Sequence, residues 1–161
     1  MFAAVVPEVC SEQECAELIT LSEDRGYVPA VIHKPDGRVL LDKSHRDSDR
    51  AIIDDPAFAQ VLFERLQPHL PACYNGRALA GINERLRFLR YSPGQRFRVH
   101  SDGCYISANG SQRSFLTLQL YLNTVLEGGE TVLYSDEDVE TALLKVSCKP
   151  GQESTWSSGC V

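Results

Sequence analysis

The chain has 161 residues, 43% of them hydrophobic and 24% charged, which suits one soluble globular domain with a buried core. Acidic side chains outnumber basic ones, 22 to 16, for a formal charge of −6. That balance argues against nucleic acid as a partner, because phosphate-backbone binding needs a basic face. The local run Arg85, Arg87, Arg90, Arg96 and Arg98 alternates with apolar residues and reads as the solvated face of strands. No apolar run is long enough to span a membrane and the N-terminus lacks the pattern of a signal peptide, so the expectation is a cytoplasmic protein with no membrane partner. Six cysteines are scattered without a CxxC pair and read as free thiols in a reducing compartment.

Phe2 to Val6 is short, apolar and β-prone, a first strand. Ser11-Glu12-Gln13-Glu14 fits a capping box and opens a helix with Cys15, Leu18, Ile19 and Ser22 on one face and Gly26 as its stop. Residues 27–54 read as irregular, with a turn at Pro35-Asp36-Gly37 and a polar surface loop over 43–50. Asp55-Pro56 starts a second helix, with Phe58, Val61, Leu62 and Leu66 at helical spacing.

From Glu84 onward the pattern changes to that of strands. Arg85 to Tyr91 and Phe97 to His100 alternate around a Pro93-Gly94 turn. Ser114 to Asn123 alternates throughout, with Leu116, Leu118, Leu120 and Leu122 on one face and Thr117, Gln119 and Tyr121 on the other. Val132 to Tyr134 and Ala142 to Ser147 supply further strands, and Gly128-Gly129 is a tight turn. The expectation is an α+β chain, helices first and then an antiparallel β core.

The candidate chemistry sits at His100-Ser101-Asp102. Residues two apart on an extended backbone point the same way, so an imidazole and a carboxylate can converge on one ion. They are two thirds of the 2-His-1-carboxylate set that holds non-haem Fe(II). Alone the triplet is a weak signal, and a strand-end histidine bonded to a turn aspartate is the more ordinary reading. The polar face of 114–123 suits either solvent or the wall of a small polar pocket.

Taken together, Arg90-Tyr91-Ser92-Pro93-Gly94-Gln95, His100-Ser101-Asp102, Arg113, Thr117, Tyr121-Leu122-Asn123, Gly128-Gly129-Glu130-Thr131 and Lys149-Pro150-Gly151 stand in one order and spacing. Over Asn83 to Pro150 this resembles the core of the prolyl 4-hydroxylase-type Fe(II)/2-oxoglutarate dioxygenases. The resemblance implies a helical lead-in over 1–82 and, over 83–151, a double-stranded β-helix, or jelly roll. It implies His100 and Asp102 as metal ligands, with Tyr91, Thr117, Gln119 and Tyr121 lining the 2-oxoglutarate pocket. The cofactors it implies are Fe(II), 2-oxoglutarate and ascorbate. Its reaction hydroxylates a C–H bond while 2-oxoglutarate is oxidatively decarboxylated to succinate, on a peptide or small polar substrate. Loops 33–50 and 104–113 would then flank the pocket mouth.

The chain departs from that pattern after Gly151. No histidine follows Asp102, and residues 152–161 read as a polar, Ser-rich tail without strand alternation. The second histidine and the Lys or Arg that would pair with the far carboxylate of 2-oxoglutarate are missing. His33, His45 and His69 read as ordinary surface or helix-end residues, and nothing in the sequence places Glu153 as a substitute. A jelly roll without its last strands would be incomplete at the C-terminus, with an open sheet edge. A catalytically incompetent fragment or pseudo-enzyme, acting as a binding module, is therefore the alternative to an oxygenase.

Overall fold

A computed structural model describes residues 2–33, 37–134 and 142–157, the last five of these by their backbone alone. In chain order the elements are β1 (Ala3–Val6), α1 (Glu12–Arg25), β2 (Val28–Pro29), β3 (Ile32–His33), β4 (Val39–Leu40), β5 (Asp49–Asp54) and α2 (Pro56–Leu66). There follow β6 (Cys73–Tyr74), β7 (Arg77–Ala78), β8 (Arg85–Arg90), β9 (Leu116–Leu120), β10 (Thr131–Tyr134), β11 (Ala142–Val146) and β12 (Glu153–Ser157). The chain is α+β: two helices come early, and every named strand pairing is antiparallel.

Both helices start where their caps require. Ser11 Oγ accepts from the Glu14 N–H at 3.2 Å, and Glu14 Oε2 accepts from the Ser11 N–H at 2.8 Å. Two backbone donors that the helix cannot satisfy are thereby paired. Glu14 also takes a two-pronged ion pair from Arg65 on α2, at 2.7 and 3.0 Å, which holds its carboxyl down to about 2 and ties the helices together. Gly26 ends α1 with φ of 83°. Asp55 caps α2 by accepting from the Phe58 N–H at 2.9 Å. The buried face of α2 is Ala59, Leu62 and Leu66, while Val61 is exposed.

The helices cover one side of the sheets. Val6, Val9, Cys10, Cys15, Leu62 and Leu66 form one buried cluster, joined by Leu118, Leu120 and Leu122. Leu18, Ala51 and Phe88 form a second, joined by Tyr27, Ile53 and Leu86. A fully buried leucine such as Leu66 contributes about 2–3 kcal/mol. Because side chains alternate along a strand, the residues between these apolar ones are turned away from the helical layer. On β5 and β8 they include Arg50 and Arg87; on β9 they are Thr117 and Gln119.

Several expectations need correction. Residues 49–54, read as loop and irregular chain, form β5, the central strand of the sheet β2-β5-β8. Its Ala51 and Ile53 face α1, and that apolar face outweighs the flanking charges, which ion-pair at the rim as Arg85–Asp54 and Arg90–Asp49. Phe97 to His100, read as a strand, carries only an isolated bridge from Phe97 to Arg46. Of the Pro35-Asp36-Gly37 turn, Pro35 and Asp36 lie outside the described residues. Cys104 is in a disulfide, so the free-thiol reading holds for Cys10, Cys15, Cys73 and Cys148. Among the described residues no helix is long and apolar enough to cross a membrane.

The largest correction concerns the polar tail. Glu153–Ser157 is β12, inserted between β1 and β9 and antiparallel to both. A strand between two neighbours gains a ladder on each side, so backbone pairing places it without a hydrophobic alternation to announce it. The expected edge on β9 is therefore covered by the chain's own residues. The turn that delivers β12 is tight: the Gly151 carbonyl accepts from the Val9 N–H at 2.9 Å, and the Gly151 N–H donates to the Tyr121 carbonyl at 2.9 Å. Gly151 has φ of 68°, and a Cβ there would collide with the Cys10 carbonyl oxygen.

Replacing Gly151 by alanine should therefore destabilise the protein by more than about 2 kcal/mol, combining left-handed backbone strain with the clash. Urea unfolding should show this as a lowered midpoint at unchanged slope.

Candidate metal site and its surroundings

His100 and Asp102 lie in the connection between β8 and β9, outside any strand, and their side chains still converge. His100 Nε2 and Asp102 Oδ1 are 3.5 Å apart, and both side chains are partly exposed. The other atom of each group is engaged. His100 Nδ1 is 2.6 Å from the Arg98 carbonyl oxygen, which can only accept, so Nδ1 carries a proton and, in the neutral ring, Nε2 is the nitrogen left to a metal. Asp102 Oδ2 accepts from the Thr117 hydroxyl at 2.7 Å. This is how metal ligands are usually oriented, by an outer partner on the far atom.

The spacing suits chelation. Two donors about 2.1 Å from an ion are separated by about 3.0–3.5 Å when the angle between them is roughly 90–110°. Among the described residues no group of three or more His, Cys, Asp or Glu side chains could hold a metal, so the described residues offer a pair.

Phe97, which the sequence reading passed over, holds the imidazole in place. Its ring stacks on His100 with centroids 3.5 Å apart and planes 15° from parallel. The Arg46 guanidinium lies 4.5 Å from the centroid of the same ring, and His45 meets it edge-on at 5.8 Å. His45 is thus near the pair but spends its ring on Phe97. The signal available in the sequence was an aromatic residue three positions before the histidine.

The remaining expected site residues surround the pair unevenly. Thr117 holds Asp102. Gln119 Nε2 donates to the Thr131 hydroxyl at 3.0 Å, which links β9 to β10. Tyr121 follows β9 and is buried; its backbone is bonded to Gln152 and Gly151. Tyr91 follows β8 and is 44% exposed, yet burial of its phenol end raises its pKa, opposed by neighbouring Ser48 and Arg46. Ser48 is buried and its hydroxyl forms no well-shaped hydrogen bond. Arg46 and Ser48 belonged to the stretch expected to be a surface loop, and its polar composition hid their approach to the site.

No protein-family model matches the chain, and no curated protein matches it in sequence. Solved structures do match. The viral collagen prolyl hydroxylase of Paramecium bursaria Chlorella virus-1, in complex with 2OG, is similar over 98% of this chain and 78% of that one, with a TM-score of 0.55 at 19% identity. A Pseudomonas putida prolyl-4-hydroxylase is similar over 98% of this chain and 81% of that one, with a TM-score of 0.58 at 15% identity. The chain has a prolyl 4-hydroxylase-type fold. In a prolyl 4-hydroxylase-type fold assembled from this sequence, the imidazole and carboxylate meet on the side of β9 turned away from the helices.

Thr117→Val removes the hydroxyl that aims Asp102 and keeps the side-chain shape. It should weaken binding of Mn(II) to the isolated protein by about 10-fold. Anaerobic calorimetric titration would show it, and equal affinity in both proteins would contradict the assigned role.

Proposed function

We infer that the protein is a prolyl 4-hydroxylase-like Fe(II)/2-oxoglutarate-dependent dioxygenase whose metal is held by His100 and Asp102. The observation that carries this reading is the 3.5 Å approach of His100 Nε2 to Asp102 Oδ1 within a fold shared with prolyl hydroxylases, one of them in complex with 2OG. In this reading the sheets are parts of a jelly roll, and the polar sides of β8 and β9 and the residues following them, with Tyr91, Thr117, Gln119 and Tyr121, form the cosubstrate pocket.

A ferrous ion bound there would supply oxygen activation coupled to decarboxylation of 2-oxoglutarate to succinate, with ascorbate as reductant. The protein's part is positional. The Arg98 carbonyl holds a proton on His100 Nδ1, so that in the neutral ring Nε2 is the donor turned toward Asp102. The Thr117 hydroxyl holds Oδ2 of Asp102, while Oδ1 faces His100 Nε2. Phe97 covers one imidazole face and restricts the ring's rotation. The substrate is a peptide or a small polar molecule, met by the loops around 33–50 and 104–113.

A second reading has its own observation. Two donors from one short segment are one fewer than the 2-His-1-carboxylate set, so the ion is held weakly, and a binding module without turnover fits the same residues.

The experiment is succinate formation from 2-oxoglutarate under air, followed across Fe(II) concentration. The oxygenase reading expects turnover that keeps rising well beyond one equivalent of iron and that falls at least 100-fold in His100→Ala and Asp102→Ala. No succinate above background at any iron concentration would leave the binding module as the function.

A further inference from the structure

Arg46, Arg50 and Arg87 form a cluster of cations that enter no ion pair among the described residues. On the paired strands β5 and β8, Arg50 stands opposite Leu89 and Arg87 opposite Ile52, so both arginines share the face that turns away from α1. Arg46 precedes β5 and reaches across to Phe97. Burial and the mutual repulsion of the guanidiniums depress the pKa of Arg87, and of Arg46 by the same causes, with burial first. The neighbouring arginines are neutralised: Arg85 by Asp54 at 2.8 and 2.9 Å, and Arg90 by Glu23 and Asp49. None of the ion pairs among the described residues includes Arg46, Arg50 or Arg87. The Nε–H groups of Arg46 and Arg50 are buried and unbonded. A buried donor without a partner is unfavourable, and gathering like charges around it adds to that.

Two described acids act on Arg46 and Arg87. Asp54 acts on Arg87 but is already held by Arg85, and Asp102, one of the metal pair, acts on Arg46. The cluster therefore adjoins the His100–Asp102 site, through the stack in which Phe97 separates Arg46 from His100.

We propose that Arg50 and Arg87, with Arg46 beside them, bind a carboxylate of a small dicarboxylic acid whose other end reaches the His100–Asp102 pair. A guanidinium presents parallel N–H donors that match both oxygens of a carboxylate, and a bound anion would relieve the repulsion and satisfy the unbonded Nε–H groups. The proposal rests on the oxygenase reading for the identity of the acid, 2-oxoglutarate. It assigns the anchoring of the far carboxylate to the early strands β5 and β8 of this chain.

The test is calorimetric titration of the metal-free protein with succinate, which carries both carboxylates and lacks the chelating oxo group. Inorganic phosphate serves as the competing anion. Wild type should bind succinate saturably in the millimolar range or tighter. Arg87→Gln and Arg50→Gln should each weaken binding at least tenfold, Arg85→Gln should stay within twofold, and phosphate should bind at least tenfold more weakly than succinate. Far-UV circular dichroism checks folding; should Arg50→Gln unfold, the exposed Arg87 decides alone. Absence of succinate binding in wild type, unchanged affinity in Arg87→Gln, or phosphate as tight as succinate would each overturn the proposal. Failure of the oxygenase reading is separable. Loss of succinate binding in Arg87→Gln without iron-dependent turnover in wild type keeps the subsite and rejects the oxygenase. Turnover with an unaltered KM for 2-oxoglutarate in Arg87→Gln does the reverse.

Discussion

The period-two alternation of β5, β8 and β9 governs the molecule. Alternate residues of these strands pack under the helices as an apolar set: Ala51, Ile53, Leu86, Phe88, Leu118 and Leu120. The residues between have no choice of side, because a one-residue slip would expose the whole apolar set. The helical layer therefore decides, from behind, that Arg50, Arg87, Thr117 and Gln119 share the opposite side. Burial of hydrocarbon does the energetic work, and the arrangement of polar groups follows from it.

The metal pair itself sits on chain without a ladder, where backbone pairing cannot set its geometry. Other contacts do so: the Arg98 carbonyl on His100 Nδ1, the Thr117 hydroxyl on Asp102 Oδ2, and the Phe97 ring against the imidazole. One of the three, Thr117, belongs to β9, so the strand's register is passed directly to the carboxylate. Arg46, over the other side of Phe97, extends the same stack toward β5.

Local signals were legible in the sequence, and long-range ones were not. The capping box at Ser11–Glu14, the Asp55-Pro56 start of α2 and the leucine alternation of 116–122 each require only residues a few positions apart, and each appears in the structure. The place of β12 depends on β1 and β9, which lie far away in sequence, and its residues Glu153–Ser157 carry no hydrophobic pattern. β5 was hidden because Asp49, Arg50 and Asp54 outnumber its buried Ala51, although Arg90 and Arg85 on β8 pair with the two aspartates. For the candidate site, the triplet at 100–102 was visible, whereas Phe97, Arg46 and Ser48 were not, since their relevance arises from stacking and burial across segments that a linear reading keeps apart.

An oxygenase built on this site requires one ion shared by His100 and Asp102. Crystals soaked in Mn(II) and measured at a wavelength sensitive to manganese test this most directly. An anomalous peak within about 2.3 Å of both His100 Nε2 and Asp102 Oδ1 is the predicted result. A peak bound to only one of them, or to other residues instead, would contradict it.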